Sequence, residues 1–442
     1  IQSQATDNLG QALAILFGVA NDDMARSIIS KTPYTPYGIS SVYPQLPDIK
    51  PYHNDAVWPF VQAYWNLAAK KAGNMAAFEK GFASMCRAAA LFGSHKELFV
   101  ASNGDYSGAA VNSDAQLWSC TGMAGMIMRV IMGIELKTDG MYFSPFVPSS
   151  LTGPKTLTGL KYRDATLTIQ VNGTGNQVKS FTINGKESSD FMLPADTEGD
   201  VEIVIEMAGN TVEKQSVNNQ PQAWMPLTPE INWNGLQGEI KNYTEGIEYE
   251  EYMNSNMLQE ISTSSIAFVP QDSYTLMDVV PVSQEHYVGY TCKPYEYIPD
   301  GALITVPASR MGVAGTELIA DRKRASQFVE TSKKRNRRMD FSVTVDDSGD
   351  YFVDFLYANG SGPVNTDNRC ALRILYVNDA EAGAIVMPQR GSGEWMSTGL
   401  SNMLRVKLRK GRNDMSLRLD MDNMNGEVNR ALIRYARVIR VQ

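Results

Sequence analysis

With 442 residues, 43% hydrophobic and 20% charged, the chain has the composition of a packed globular protein and length for roughly two to four domains. Its 40 basic against 48 acidic side chains leave a net charge of -8, which argues against a nucleic-acid or anionic-membrane partner and makes neutral ligands the default. No stretch reaches the roughly 20 apolar residues of a membrane span, and the scattered Cys86, Cys120, Cys292 and Cys370 form neither a CxxC nor a Cys/His cluster, so no metal or redox cofactor is expected.

The chain begins at Ile1, shows no signal peptide and is helical within a few residues, which reads as a processed or truncated start. In "TDNLGQALAILFGVAN" the residues Leu9, Leu13, Leu16 and Phe17 share one face behind a Thr6 or Asp7 cap, and "NDDMARSIISK" restarts at Asn21 and stops at Pro33. A second tight hairpin follows: "NDAVWPFVQAYWNLAAKKAGN" ends at Gly73, and Asn74 caps "MAAFEKGFASMCRAAALFG". The fifth helix, "SDAQLWSCTGMAGMIMRVIMGI", is apolar nearly all round and is expected to be buried on several sides, with Cys86 and Cys120 as small core residues. Short turns join the first helix to the second and the third to the fourth, while long loops (Thr32 to His53 and Gly93 to Ser113) make the other connections. In an antiparallel helical array both long loops emerge at one end, where they can meet over one cleft.

From about Met141 the pattern becomes β, with strands around Leu167 to Val171, a "VKSFTINGKE" hairpin turning at Asn184-Gly185, and "DVEIVIEMAG". "NNQPQAWMPLTP", Asn218 to Pro229, reads as a linker. Short strands at regular spacing up to Pro299 then predict a small sandwich, and six alternating strands from Asp300 to Gln442 predict a jelly roll. The basic run "DRKRASQFVETSKKRNRRM" is interrupted by Glu330 and matches no nucleic-acid module, so it reads as a solvated strand and loop.

Two loop motifs carry the candidate chemistry. In "PYHNDAVWPF", Asn54 or Asp55 is expected to cap the third helix, Pro59 suits its first turn, and Trp58 is either core or an aromatic beside a sugar ring. In "GSHKELFVASNGDYSG", Glu97 is the leading carboxylate because it lies at the same end as Tyr52, His53 and Trp58; Lys96 is expected to hold it ionised, His95 to be a spectator and Asp114 to start the fifth helix.

Taken in order, "DNLGQALAILFGVAN", "YHNDAVWPFVQAYWNLA", "HKELFVASNGDYSG" and "AQLWSCTGMAGMIMRVIMGI" resemble the last part of six-hairpin (α/α)6-barrel glycosidases, including amylo-1,6-glucosidase-like enzymes and glycoside hydrolase family 63. That resemblance implies Glu97 as the general base of an inverting hydrolysis, with Tyr52, His53, Asn54, Trp58, Lys96, Gln116 and Trp118 around a neutral oligo- or polysaccharide. It also implies a periplasmic or extracellular location. Five helices are fewer than such a barrel needs, and no part of the chain matches the region of the general acid. The expectation is therefore that a preceding segment or a second chain completes the barrel, or that the chain is inactive by itself. A glycoside phosphorylase on the same barrel and a non-catalytic carbohydrate-binding protein are the alternatives.

Residues 231–297 resemble a fibronectin type III module through "EINWNG" and "IEYEEYMNS". The last segment resembles carbohydrate-binding modules of families 6 and 35 through "GDYFVDFLYANGSG", "CALRILYVND" and "VMPQRGSGEWMSTGLS", which implies Trp395 and Asn425 as sugar contacts; "LITVPASRMG" offers no clear calcium motif. The expected fold is thus a partial α/α toroid over residues 1–140, a closing β segment over 141–217, and β-sandwich domains over 218–299 and 300–442.

Overall fold

The structure is a computed structural model that describes residues 5–212, 215–312, 319–321, 326–364, 369–420 and 429–441. The chain forms two compact units, one of residues 1–228, 244–249 and 280–290 and one of residues 229–243, 250–279 and 291–442.

The first unit holds the five α-helices of the described residues: α1 (Asn8–Leu16), α2 (Asp22–Lys31), α3 (Pro59–Lys71), α4 (Met75–Phe92) and α5 (Leu117–Gly125). Their limits follow local chemistry. The Asp7 carboxylate accepts from the Gly10 N–H, and the Asn21 amide oxygen from the Met24 N–H. Helix α2 carries Asp22 and Asp23 in its first turn and Lys31 in its last, which complements its dipole. Asn74 caps α4 immediately after Gly73, and Gly93 closes α4 at φ 62°, a left-handed position that suits glycine.

Three local expectations are corrected. Neither Asn54 nor Asp55 caps α3; Trp58 occupies the cap position without a side-chain bond, and Pro59 fixes the first turn. Helix α5 starts behind Gln116, not Asp114, and runs into a π-helical turn at Met126–Ile131. It is also not buried on several sides: Leu117 is 77% and Trp118 43% exposed, while Cys86 is exposed and Cys120 half-buried.

Helices α3 and α4 approach closely at Gly81, where any Cβ would fall on the buried amides of Gln62 and Asn66. Around this contact lies a core containing Ile15, Trp65, Phe78 and Met85, each such side chain contributing about 1.5–3 kcal/mol on burial. The same core extends into a five-stranded sheet of β1 (Lys155–Tyr162), β2 (Ala165–Asn172), β3 (Val178–Ile183), β4 (Lys186–Glu187) and β5 (Gly199–Met207), ordered β4-β3-β5-β2-β1. Period-two alternation turns Leu167, Ile169 and Val171 of β2 and Val201, Ile203 and Ile205 of β5 into that core. The β3–β4 turn uses Asn184 and Gly185, both at positive φ, as its sequence predicts. Five helices and a sheet do not by themselves show an α/α toroid.

The Asn218 to Pro229 stretch, expected to be a linker, is partly docked. The Tyr34 N–H donates to the Asn218 carbonyl (2.8 Å), Gln45 N–H to Ala223 (2.8 Å), and Met225 N–H back to Gln45 (2.7 Å).

The second unit is built from β-strands. A three-stranded sheet joins β6 (Ile231–Asn234), β7 (Gln237–Ile240) and β8 (Ser265–Ala267). The larger part is a sandwich. One sheet centres on β11 (Gly349–Ala358) and β16 (Ala431–Arg440), with β9 (Leu303–Pro307) beside β16 and β14 (Leu404–Leu408) beside β11. The other runs β10 (Arg338–Val345), β15 (Gly411–Arg418), β12 (Ala371–Val377), β13 (Ala380–Met387). Inward residues such as Met339, Phe341, Val353, Phe355, Leu375 and Leu417 form one core. Within this unit Arg437 is held bidentately by Asp354 (2.6 and 2.9 Å) and by Glu296 (2.8 and 3.1 Å), which fastens the 295–297 strand to the sandwich.

Gly81→Ala is expected to destabilise the first unit by about 1–3 kcal/mol, because α4 must retreat from two buried amides. Thermal unfolding would register this as a lowered midpoint, and an unchanged midpoint would contradict the packing described.

Candidate functional site

The two long loops meet at one end of the helices, as their lengths predict. Ala56–Val57 pairs antiparallel with Phe99–Val100, the Ala101 N–H donates to the Asp55 carbonyl (2.9 Å), and the Ala110 N–H donates to the Pro51 carbonyl (2.8 Å). These bonds set Glu97 beside the start of α3. Glu97 is buried, 6% exposed as a residue, and its carboxylate Oε2 accepts from both the N–H (3.0 Å) and the hydroxyl (2.8 Å) of Ser113. Among the described residues its Oε1 has a long 3.5 Å contact from the Tyr52 hydroxyl. One carboxylate oxygen is thus anchored more firmly than the other.

Next to it stands an aromatic ladder. Tyr52 stacks on His53 (4.7 Å) and meets Trp58 edge-on (5.1 Å), Trp58 meets Trp118 edge-on (5.6 Å), and Trp118 stacks on Phe60 (4.9 Å). Trp58 is 3% exposed and donates its indole N–H to the Tyr52 carbonyl (2.6 Å), so it supports the ladder from beneath, whereas His53 and Trp118 are exposed. Such faces suit the apolar side of a sugar ring.

Other expected residues are placed differently. Asn54 is buried, and its amide is engaged by the Leu46 N–H and by the Leu46 and Ile49 carbonyls, so it fastens the first loop. Lys96 does not hold Glu97: its ammonium pairs with Asp114 (3.2 Å) and lies over the Tyr106 ring (4.6 Å). Gln116 caps α5 at the Leu117 N–H (3.1 Å).

The neighbouring carboxylates are unsuited to act as acids. Hydrogen bonds from Ser107, backbone first, hold Asp105 below the ordinary carboxylate range, and the Ser94 hydroxyl followed by Lys96 does the same for Asp114. Both remain ionised near neutrality. Nothing in the sequence pattern points to Ser113, and Asp55 has a role other than the helix cap expected of it. Asp55 is buried at φ 47°, accepts from Ser102 (2.7 Å) and Gln222 (2.7 Å), and donates its N–H to Gln45 (2.5 Å). The visible signal for it was an acidic residue directly after Asn54 where a capping role was assumed.

In the second unit Trp395 is half-buried, with the Arg430 guanidinium 4.3 Å above its ring and Phe328, Ala358 and Leu432 against it. Asn425 lies outside the described residues.

No family model matches the chain, and no curated protein matches it. Among solved structures, about a third of the chain is similar to carbohydrate-binding modules. A family 35 module from Clostridium thermocellum shares 16% identity at a TM-score of 0.26, covering 32% of this chain and 100% of that one. A GH26-CBM35 beta-(1,4)-mannanase of Podospora anserina shares 15% at 0.24, covering 32% of this chain and 28% of that one. A CBM36-1 domain of a multidomain xylanase from the hindgut metagenome of Trinervitermes trinervoides shares 16% at 0.24, covering 32% and 98%.

Ser113→Ala removes one of the two donors on Glu97 Oε2 and is expected to cost about 1 kcal/mol. Denaturant titration would show it as a lower midpoint at unchanged slope; no shift would mean that the hydroxyl does not hold the carboxylate.

Proposed function

We propose that this chain is part of a glycoside hydrolase that cleaves a neutral oligo- or polysaccharide with inversion, Glu97 serving as general base. The observation that carries the reading is the Glu97 carboxylate, anchored by Ser113 at one oxygen and met at the other by a long Tyr52 contact, next to a partly exposed aromatic ladder. A base of this kind takes a proton from water as the water attacks the anomeric carbon. Inversion requires an acid about 6.5–9.5 Å away, across the scissile bond. Asp105 and Asp114 are held ionised, so the acid comes from a helical complement, either a preceding segment or a second chain, and the hairpins of the first unit are the corresponding part of an α/α toroid.

In this reading the exposed Trp118 and His53 border the sugar, with Tyr52 between sugar and base. The sandwich of the second unit serves as a carbohydrate-binding module with Trp395 and Asn425 as its candidate contacts, and the protein works in the periplasm or outside the cell.

The test is Glu97→Gln in the full native assembly, assayed by release of reducing ends from a panel of neutral oligosaccharides. Loss of a general base is expected to lower kcat by about 10²–10⁴-fold with sugar binding retained. Wild-type turnover in the variant would remove the base assignment. Binding without hydrolysis by the unmodified assembly would leave a recognition protein, and a strict requirement for phosphate would make it a phosphorylase.

A further inference from the structure

An exposed indole stands on the segment that follows the five-stranded sheet. Trp224 is 44% exposed, within the stretch from Asn218 to Pro229 whose composition marks a linker. On a loose linker such a side chain would be a poor ligand contact, because ordering it and its backbone on binding costs about 1–2 kcal/mol or more. Here the backbone is already held. The Gln45 N–H donates to the Ala223 carbonyl (2.8 Å) and the Met225 N–H to the Gln45 carbonyl (2.7 Å), so that Trp224 pairs with Gln45 as in a parallel sheet. The Tyr43 hydroxyl donates to the Pro221 carbonyl (3.1 Å), Met225 is buried, and Gly289 closes on the Pro226 carbonyl, which a Cβ would approach to 2.7 Å.

The same bonds locate the indole. Residues paired across two strands present their side chains on one face, and the Gln45 side chain accepts the Asp55 N–H. Gln222, two residues before the tryptophan, donates to the Asp55 carboxylate (2.7 Å). Trp224 therefore stands on the Asp55 side of the first long loop, where the exposed His53 stacks on Tyr52. Asp55 in turn takes the Ala101 N–H on its carbonyl, and Ala101 is four residues past Glu97, at most about 14 Å away along the chain. The indole is thus set off from Glu97 by Gln45, Asp55 and the Ala101 segment, a span of several sugar rings.

The surroundings select the ligand. Single exposed apolar side chains are common on any surface. This one projects from a fixed backbone beside hydrogen-bonding groups: Gln222, the exposed Ser102 that donates to Asp55 (2.7 Å), and the exposed Asn103 after it. The Asp55 charge is buried beneath two of these donors, so the surface offers dipoles and a flat apolar face. A neutral sugar ring needs both, the face for its C–H side and the dipoles for its hydroxyls.

We propose that Trp224 is an outlying sugar-binding position of the Glu97 site, which stacks on a ring several units along the chain from the bond that is cut and so selects longer oligosaccharides and polysaccharides over disaccharides. The inference rests on the hydrolase reading above, and it adds the length of the substrate and the residue that senses it.

The test follows single indoles. The six tryptophans are replaced by fluorotryptophan in the full native assembly carrying Glu97→Gln, and each fluorine NMR resonance is assigned by its loss on substitution of that residue by Phe. Malto-, cello-, manno- and xylo-oligosaccharides are titrated, from disaccharides to heptasaccharides. One series is expected to shift the Trp224 resonance saturably with its longer members, which bind about tenfold more tightly than its disaccharide. Trp224→Ala is expected to erase that advantage. A Trp224 resonance that no series moves, while Trp118 or Trp58 responds, overturns the proposal and leaves the hydrolase reading standing. A Trp224 response equal for disaccharides and heptasaccharides also overturns it, since the indole then belongs to a separate surface site. Silence of all three indoles overturns the proposal together with the sugar site on which it rests. Hydrolysis is scored separately on the unsubstituted assembly: a length-dependent Trp224 response without turnover upholds the sugar position and sinks only the catalytic step.

Discussion

The amide of Gln62 is the contact on which the arrangement of the first unit turns. It projects from α3, fully buried, and its oxygen accepts from the Ile39 N–H (2.8 Å) and the Tyr34 hydroxyl (3.0 Å), while its nitrogen donates to Asn66 (2.9 Å). The loop between α2 and α3 has little regular strand structure of its own, so its buried backbone groups must find partners on side chains. Gln62 provides one of them at the helix surface. A buried amide left unpaired costs about 1–3 kcal/mol, so the loop and the helix hold each other in place. Gly81 follows from the same constraint, because only a residue without a Cβ lets α4 close over Gln62 and Asn66.

Asp55 extends this anchoring to the site. Its N–H reaches Gln45 in the first long loop, its carbonyl receives Ala101 from the second, and its carboxylate takes Ser102 and Gln222. Three separate stretches of chain are thereby fixed around one residue held at positive φ, where an Asp is tolerated at modest cost. The position of Glu97 relative to Trp58 is therefore set by buried polar bonds rather than by helix packing. This explains how a carboxylate on a loop is held in place.

The sequence made the helical limits legible wherever a cap is a local matter. Asp7, Asn21 and Asn74 each bond the N–H three residues on, and the short and long connections foretell which loops meet. It failed where two partners compete for one group. Asn54 has the right type and place for a cap, yet the carbonyls of Leu46 and Ile49 claim it. Lys96 neighbours Glu97 in sequence, but its ammonium is claimed by Asp114 across the loop and by the Tyr106 ring. Ser113 was invisible as a ligand of Glu97 because sixteen residues separate them. For α5, an all-round apolar pattern says that every face seeks cover without saying which cover is present. Here α5 buries Ser119 and leads into a π-helical turn whose Met126 and Val130 reach the core, while Leu117 and Trp118 face an open valley.

That open side is not independent of the surroundings of Glu97. Trp118 lines the valley and also stacks on Phe60 and meets Trp58, which in turn bonds the carbonyl of Tyr52 beside Glu97. Packed aromatic rings have few alternative arrangements, because a rotation of one must displace its neighbour. Restricting Trp118 at its exposed face would therefore be transmitted through Trp58 to Tyr52. The open side and the surroundings of Glu97 are thus parts of one packed aromatic array, and a change at Trp118 is felt at Tyr52.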